Sequence, residues 1–144
     1  MVRSFMFGMG IIITTAGVSV AQTHVDVIEV SGVIGPVTLR QIEQGIETAQ
    51  EDSAECLIIM LDTPGGLLES TQMIIKEILS ADVPVAVYIG PSGAGAGSAG
   101  VFITMSAHIA AMAHSTNIGA AHPVDLQGGI ADSTMNQKIE NFTA

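Results

Sequence analysis

Positive charge is scarce in this sequence: four Lys and Arg stand against 14 Asp and Glu, a formal net charge of −10 at pH 7. That balance excludes nucleic acid as a partner, because phosphates need a basic face, and it disfavours anionic lipid surfaces for the same reason. Only one cysteine is present, Cys56, so no intrachain disulfide can form; it lies in an apolar run and is expected to pack in the core. No Gly-Lys-Ser/Thr follows the glycine-rich turn described below, which removes the P-loop reading. Beyond that small-residue turn there is no internal repeat or low-complexity tract. What remains is a chain of 144 residues, 48% hydrophobic and 12% charged with 16 glycines, which implies one tightly packed α/β domain rather than disorder.

The amino terminus carries Arg3, then an apolar stretch from Phe5 to Val20, then Ser19-Val20-Ala21 before Gln22. This pattern predicts a secretory signal over 1–21, with the domain over 22–144 outside the cytoplasm, in a periplasmic or other extracytoplasmic space. An uncleaved signal anchor is the alternative, although the stretch is short for a span and holds Gly8, Gly10 and Gly17.

Past the leader, strands and helices alternate. Val25 to Val30 reads as a strand and Ser31 through Pro36 as turn chemistry. Leu39, Ile42, Ile46 and Ala49 then recur at helical steps, leaving Glu43, Glu47 and Glu51 for water. Cys56 to Leu61 is apolar on both faces, as strands buried between layers are. Leu67 to Leu79 has helical length, with Met73, Ile74, Ile78 and Leu79 expected inward, and Val83-Pro84 ends it. Val85 to Ile89 is the next strand, Ser98 to Ala107 a helix, and Ile109 to Ala113 a short strand. This order favours an α/β fold with mainly parallel strands.

The chemistry concentrates in two glycine turns. Gly93-Ala94-Gly95-Ala96-Gly97-Ser98-Ala99-Gly100 places one hydroxyl, that of Ser98, at a strand-to-helix turn, where a nucleophile is wanted. Glycines there allow a sharp turn and close approach of a carbonyl, and the amide after the serine opens a helix N-terminus that favours an oxyanion. Asp62-Thr63-Pro64-Gly65-Gly66 repeats the strand-Gly-helix geometry. If the two turns face one another, the amides of Gly65 or Gly66 and of Ala99 can donate to one carbonyl oxygen.

A serine needs a base. Lys76 lies on a predicted polar helix face, His24 just past the leader, and His108 and His114 flank a short strand, all consistent with structural roles. Thr134 and Gln137 have capping-box spacing, which puts Lys138 on the first turn of a helix, where the dipole and burial would lower its pKa toward a neutral amine. His122, in Gly119-Ala120-Ala121-His122-Pro123-Val124, is the rival base, or else a residue of the substrate groove, and Asp125 is its nearby acid in sequence.

The strings LDTPGGLLEST and YIGPSGAGAGSAGVFITMSAHIAAMA resemble the ClpP/crotonase-type serine proteases, specifically the membrane-associated NfeD family, over about Val25 to Lys138. The resemblance implies a ClpP/crotonase-like ββα superhelix. It also implies a Ser-Lys dyad of Ser98 and Lys138, the only lysine after Ser98, acting on hydrophobic segments of stomatin-like membrane proteins. His122 lies near the place where Clp-type proteases carry a triad histidine, whose acid comes later than this chain reaches. The family further implies a homo-oligomer and membrane association, through an uncleaved N-terminal helix or later segments, and calls for no cofactor or metal. Family members run on past the lysine helix, so the sequence is read as a fragment or truncated product with weak or absent proteolysis of its own. Two other functions compete: an inactive assembly module on the same fold, and an acyl-CoA hydratase or isomerase. The latter needs an acidic catalytic residue and a CoA-phosphate site, against which the neutral loop, Ser98 and the leader all argue.

Overall fold

The computed structural model describes residues 23–121. In chain order its elements are β1 (Asp26–Ser31), α1 (Pro36–Glu51), β2 (Leu57–Asp62), α2 (Leu68–Ser80), β3 (Val85–Ile89), β4 (Gly95–Gly97), α3 (Ala99–Ser106), β5 (Ile109–Met112) and β6 (Asn117–Gly119). Residues 1–21, expected from sequence to be a signal, and His122 and Lys138 lie outside the described residues.

The long strands form one sheet in the order β1-β2-β3-β5, parallel at each pairing. Register sets Val30 beside Leu61 and Leu61 beside Ile89, and likewise Ile28, Ile59 and Val87 in a row. Apart from half-buried Ile28, these side chains are buried and meet the helices on one face. On α1, Leu39, Ile42, Ile46 and Ala49 make the buried stripe that periodicity predicts, and Pro36 starts the helix where a missing N–H costs nothing. Glu47 and Glu51 are exposed, as expected, whereas Glu43 is half-buried.

Three expectations are corrected. On α2 the inward residues are Ser70, Thr71, Ile74 and Ile78, while Met73 and Leu79 are exposed by 42% and 65%. The helix packs between α1 and α3, and the buried row through Thr71, Ile74 and Ile78 leaves those two side chains on the flanks. Second, β2 is covered on one face only among the described residues: Leu57, Ile59 and Leu61 are buried, Ile58 and Met60 half-buried. Third, Cys56 precedes that strand and is half-buried, not a core residue.

Between the sheet and each helix the chain also makes a second, shorter parallel pairing. Ile34 bridges Gly66, Thr63 bridges Ala96, and β4 pairs with β6. The repeating unit is therefore long strand, short strand or bridge, then helix, wound as a ββα superhelix. This short strand inside the Gly93–Gly100 loop was read from sequence as part of a turn, because Gly-Ala-Gly carries no hydrophobic period. The second pairing carries the backbone from the carboxyl ends of β2 and β3 into the turns that bear the site.

Candidate active site

Ser98 caps α3 with φ 51° and ψ −106°. These angles mirror an ordinary extended conformation and suit glycine, so an L-residue held there is strained by about 1–3 kcal/mol. What holds it is backbone pairing: the Ser98 N–H donates to the Gly119 carbonyl at 2.9 Å, and the Val101 N–H donates to the Ser98 carbonyl at 3.1 Å. The result is a serine on a sharp strand-to-helix elbow, half-buried, with the helix amides opening behind it.

The second turn lies directly against the first. A Cβ placed on Gly65 would sit 2.6 Å from the Ser98 Cβ and 3.2 Å from its Oγ, and Gly65 itself has φ +116°. No side chain fits there. Gly65→Ala is therefore expected to cost about 2–4 kcal/mol through overlap and backbone strain. Thermal unfolding checks the stability loss, and it should be accompanied by loss of any chemistry at Ser98.

The neighbouring glycine has a different place. The Ile34 N–H donates to the Gly65 carbonyl and the Leu67 N–H to the Ile34 carbonyl, both at 2.9 Å. In a parallel bridge of this kind, Gly66 turns its own N–H and C=O away from Ile34. A Cβ on Gly66 would overlap the Ile34 backbone, so this turn also admits no side chain. The Gly65 N–H, by contrast, donates to Thr63 Oγ1 at 3.0 Å. Of the two glycine amides expected at the oxyanion, that of Gly65 is therefore engaged within its own turn, and Ala99 supplies the first amide of α3.

Ser98, Gly65, Gly66 and Ala99 are thus brought together by the fold. Around the Gly66 turn, Val33, Val37, Leu67 and Leu68 are exposed, an apolar rim at the carboxyl ends of β1 and β2. Three of the other candidate bases lie elsewhere, while the exposed His114 stands just past β5, its carbonyl accepting the Ser92 hydroxyl at 2.8 Å. His108 Nδ1 accepts the Val85 N–H at 3.1 Å at the amino-terminal end of β3, and Lys76 is exposed on α2. His24 lies 3.8 Å from Asp26 at the start of β1; with Asp52 these two bring ligand-type atoms within 4.8 Å of one another, at the end of the sheet away from Ser98. Asp62 and Thr63 bond to the Gly65 turn and to Gly95 and Gly97, contacts that no periodicity in the sequence announces. Their signal was a side-chain acceptor placed just before a Pro-Gly-Gly turn.

This winding is the ClpP-like fold: ClpP1 from Listeria monocytogenes superposes with TM-score 0.58 at 17% identity, over 82% of this chain and 69% of that one. The profile of the family described as NfeD1b, N-terminal domain, matches residues 24–140, and the chain belongs to that family. It is 38% identical over 122 residues to the membrane-bound protease PH1510 of Pyrococcus horikoshii, covering 85% of this chain and 28% of that protein's length. A solved lysine-to-alanine variant of the 1510-N membrane-bound stomatin-specific protease, in complex with a substrate peptide, is 38% identical with TM-score 0.73, over 78% of this chain and 51% of that one. A serine-to-alanine variant of the same protease is 35% identical with TM-score 0.73, over 84% and 61%.

Proposed function

We propose that the chain carries the nucleophilic centre of a serine endopeptidase. The observation that carries this reading is the backbone of Ser98: a non-glycine residue at φ 51°, ψ −106°, with Gly65 packed on its Cβ. Strain of this kind persists where a hydroxyl must stand at the tip of an elbow. The reaction then follows from the local parts. Ser98 Oγ attacks the peptide carbonyl while a base takes its proton, and the Gly66 and Ala99 amides receive the developing oxyanion. Collapse releases the amine with that proton and leaves an ester on Ser98, which water hydrolyses by the reverse order of transfers.

Lys138 is the proposed base. A lysine that is neutral at a helix start can accept the serine proton without a third acid. The proposed substrate is a hydrophobic segment of a stomatin-like membrane protein. Two things support it: the specificity stated for the Pyrococcus protease, and the apolar rim of Val33, Val37, Leu67 and Leu68 beside Gly66. No helix among the described residues is long and apolar enough to cross a membrane, so membrane association is proposed to come from other segments of the protein. An extracytoplasmic site and self-association complete the reading.

The test is cleavage itself. The full-length protein is expected to cut a synthetic peptide rich in Val and Leu, and to leave a peptide with Asp and Lys at the same positions intact. Equal cutting of both, read by mass spectrometry of the fragments, removes the apolar-substrate part of the proposal.

A further inference from the structure

We infer that Asp62 and Thr63 are positioning residues that lock the two halves of the oxyanion site together, an inference that rests on the reading of Ser98 as nucleophile. The two donor amides come from separate segments, 63–66 and 97–99, both rich in glycine and therefore free to adopt many backbone conformations. Catalysis by fixed amides requires their spacing to be settled before substrate arrives.

Hydrogen bonds of this dipeptide settle it. The Thr63 N–H donates to the Gly95 carbonyl at 2.7 Å, and the Gly97 N–H donates to the Thr63 carbonyl at 2.8 Å, which ties the first turn to β4 by backbone alone. Thr63 Oγ1 accepts the Gly65 N–H at 3.0 Å and donates to the Gly65 carbonyl at 3.3 Å, fixing the peptide planes before and at the Gly66 amide. Asp62 Oδ1 accepts the Gly95 N–H at 3.0 Å, a charge-assisted bond to the strand that runs into Ser98. Thr63 also reaches the helix that Ser98 caps. Its side chain is 1% exposed, and a Cβ on Gly100 would lie 2.7 Å from its Cγ2. One residue therefore touches the Gly66 turn through its hydroxyl and the first turn of α3 through its methyl.

These side-chain bonds act on geometry and make no contact with the reacting atoms, so their loss is expected in the rate of acylation and not in binding. The experiment uses the full-length protein, with the rate constant for fluorophosphonate labelling of Ser98 and steady-state cleavage of a fluorogenic Val/Leu-rich peptide as readouts. Thr63→Val keeps the shape and removes the hydroxyl with both of its bonds to Gly65. It is expected to lower kcat and the labelling rate by about 10- to 100-fold with KM changed by no more than about twofold. Thr63→Ser, which restores the hydroxyl, is expected within about threefold of wild type. Asp62→Ala is expected to follow Thr63→Val in direction, and Asp62→Asn, which keeps an acceptor oxygen, to follow Thr63→Ser.

Labelling of Thr63→Val at the wild-type rate overturns the inference, as does an equal loss in Thr63→Ser or a change confined to KM. If Thr63→Val lacks a cooperative thermal transition, the exposed Asp62 pair decides: an Asp62→Ala protein equal to wild type overturns the inference. A wild-type protein that neither labels nor cleaves overturns the hydrolase reading and this inference with it. A wild-type protein that does both, beside unaffected variants, overturns this inference alone.

Discussion

Ser98→Ala is expected to abolish fluorophosphonate labelling and to lower peptide cleavage by about 10⁴-fold or more, since a nucleophile that forms the acyl intermediate has no substitute. The fold should be untouched, because the alanine Cβ occupies the same place against Gly65 and the Ser98 N–H bond to Gly119 involves the backbone only. A companion variant separates strain from chemistry. Ser98→Gly relieves an L-residue of φ 51°, ψ −106°. It is expected to be equally inactive yet more stable by about 1 kcal/mol, the strain relieved exceeding the entropy that glycine adds to the unfolded chain. Calorimetry reads the second effect and peptide cleavage the first. A Ser98→Ala protein that labels and cleaves like wild type would falsify the nucleophile assignment.

Lys138→Ala is expected to reduce turnover by about 10³-fold or more, while His122→Ala changes mainly KM. The reasoning is economy of parts. A lysine kept neutral by its surroundings serves the serine alone, whereas a histidine base needs an acid to orient it, and Asp125 is the nearby acid only in sequence. Lys138→Arg sharpens the test, because a guanidinium retains the charge and cannot act as a base at neutral pH. It is expected to be as inactive as Lys138→Ala, with an unchanged circular dichroism spectrum. An active Lys138→Arg protein, or an inactive His122→Ala beside an active Lys138→Ala, turns the reading to a Ser-His arrangement.

Much of the fold was legible because it is encoded locally. The stripe Leu39, Ile42, Ile46 and Ala49 is buried as its spacing predicts, and the strands β1, β2, β3 and β5 fall where short apolar runs stand between turn residues. The phase of α2 was not. Met73 and Leu79 are as apolar as Ile74 and Ile78, so composition offers several faces; packing between α1 and α3 selects one. The same holds for β2, whose second face is half-exposed although its residues are apolar throughout.

By itself the sequence determined that two glycine turns end two strands, that Ser98 stands at the start of a helix, and that acidic residues far outnumber basic ones. Those are properties of neighbouring residues: periodicity, backbone freedom and charge count. Only the tertiary structure decided that the turns meet, that Gly-Ala-Gly is a strand, and that the Gly65 N–H faces Thr63 while Gly66 bridges Ile34. The reason is range. The Asp62–Gly95 bond joins residues 33 positions apart, and the Ser98–Gly119 bond closes a loop around the whole of α3 and β5. Parallel pairing across such crossovers is set by how the helices seat on the sheet, and no local pattern in a run of glycines and alanines records it.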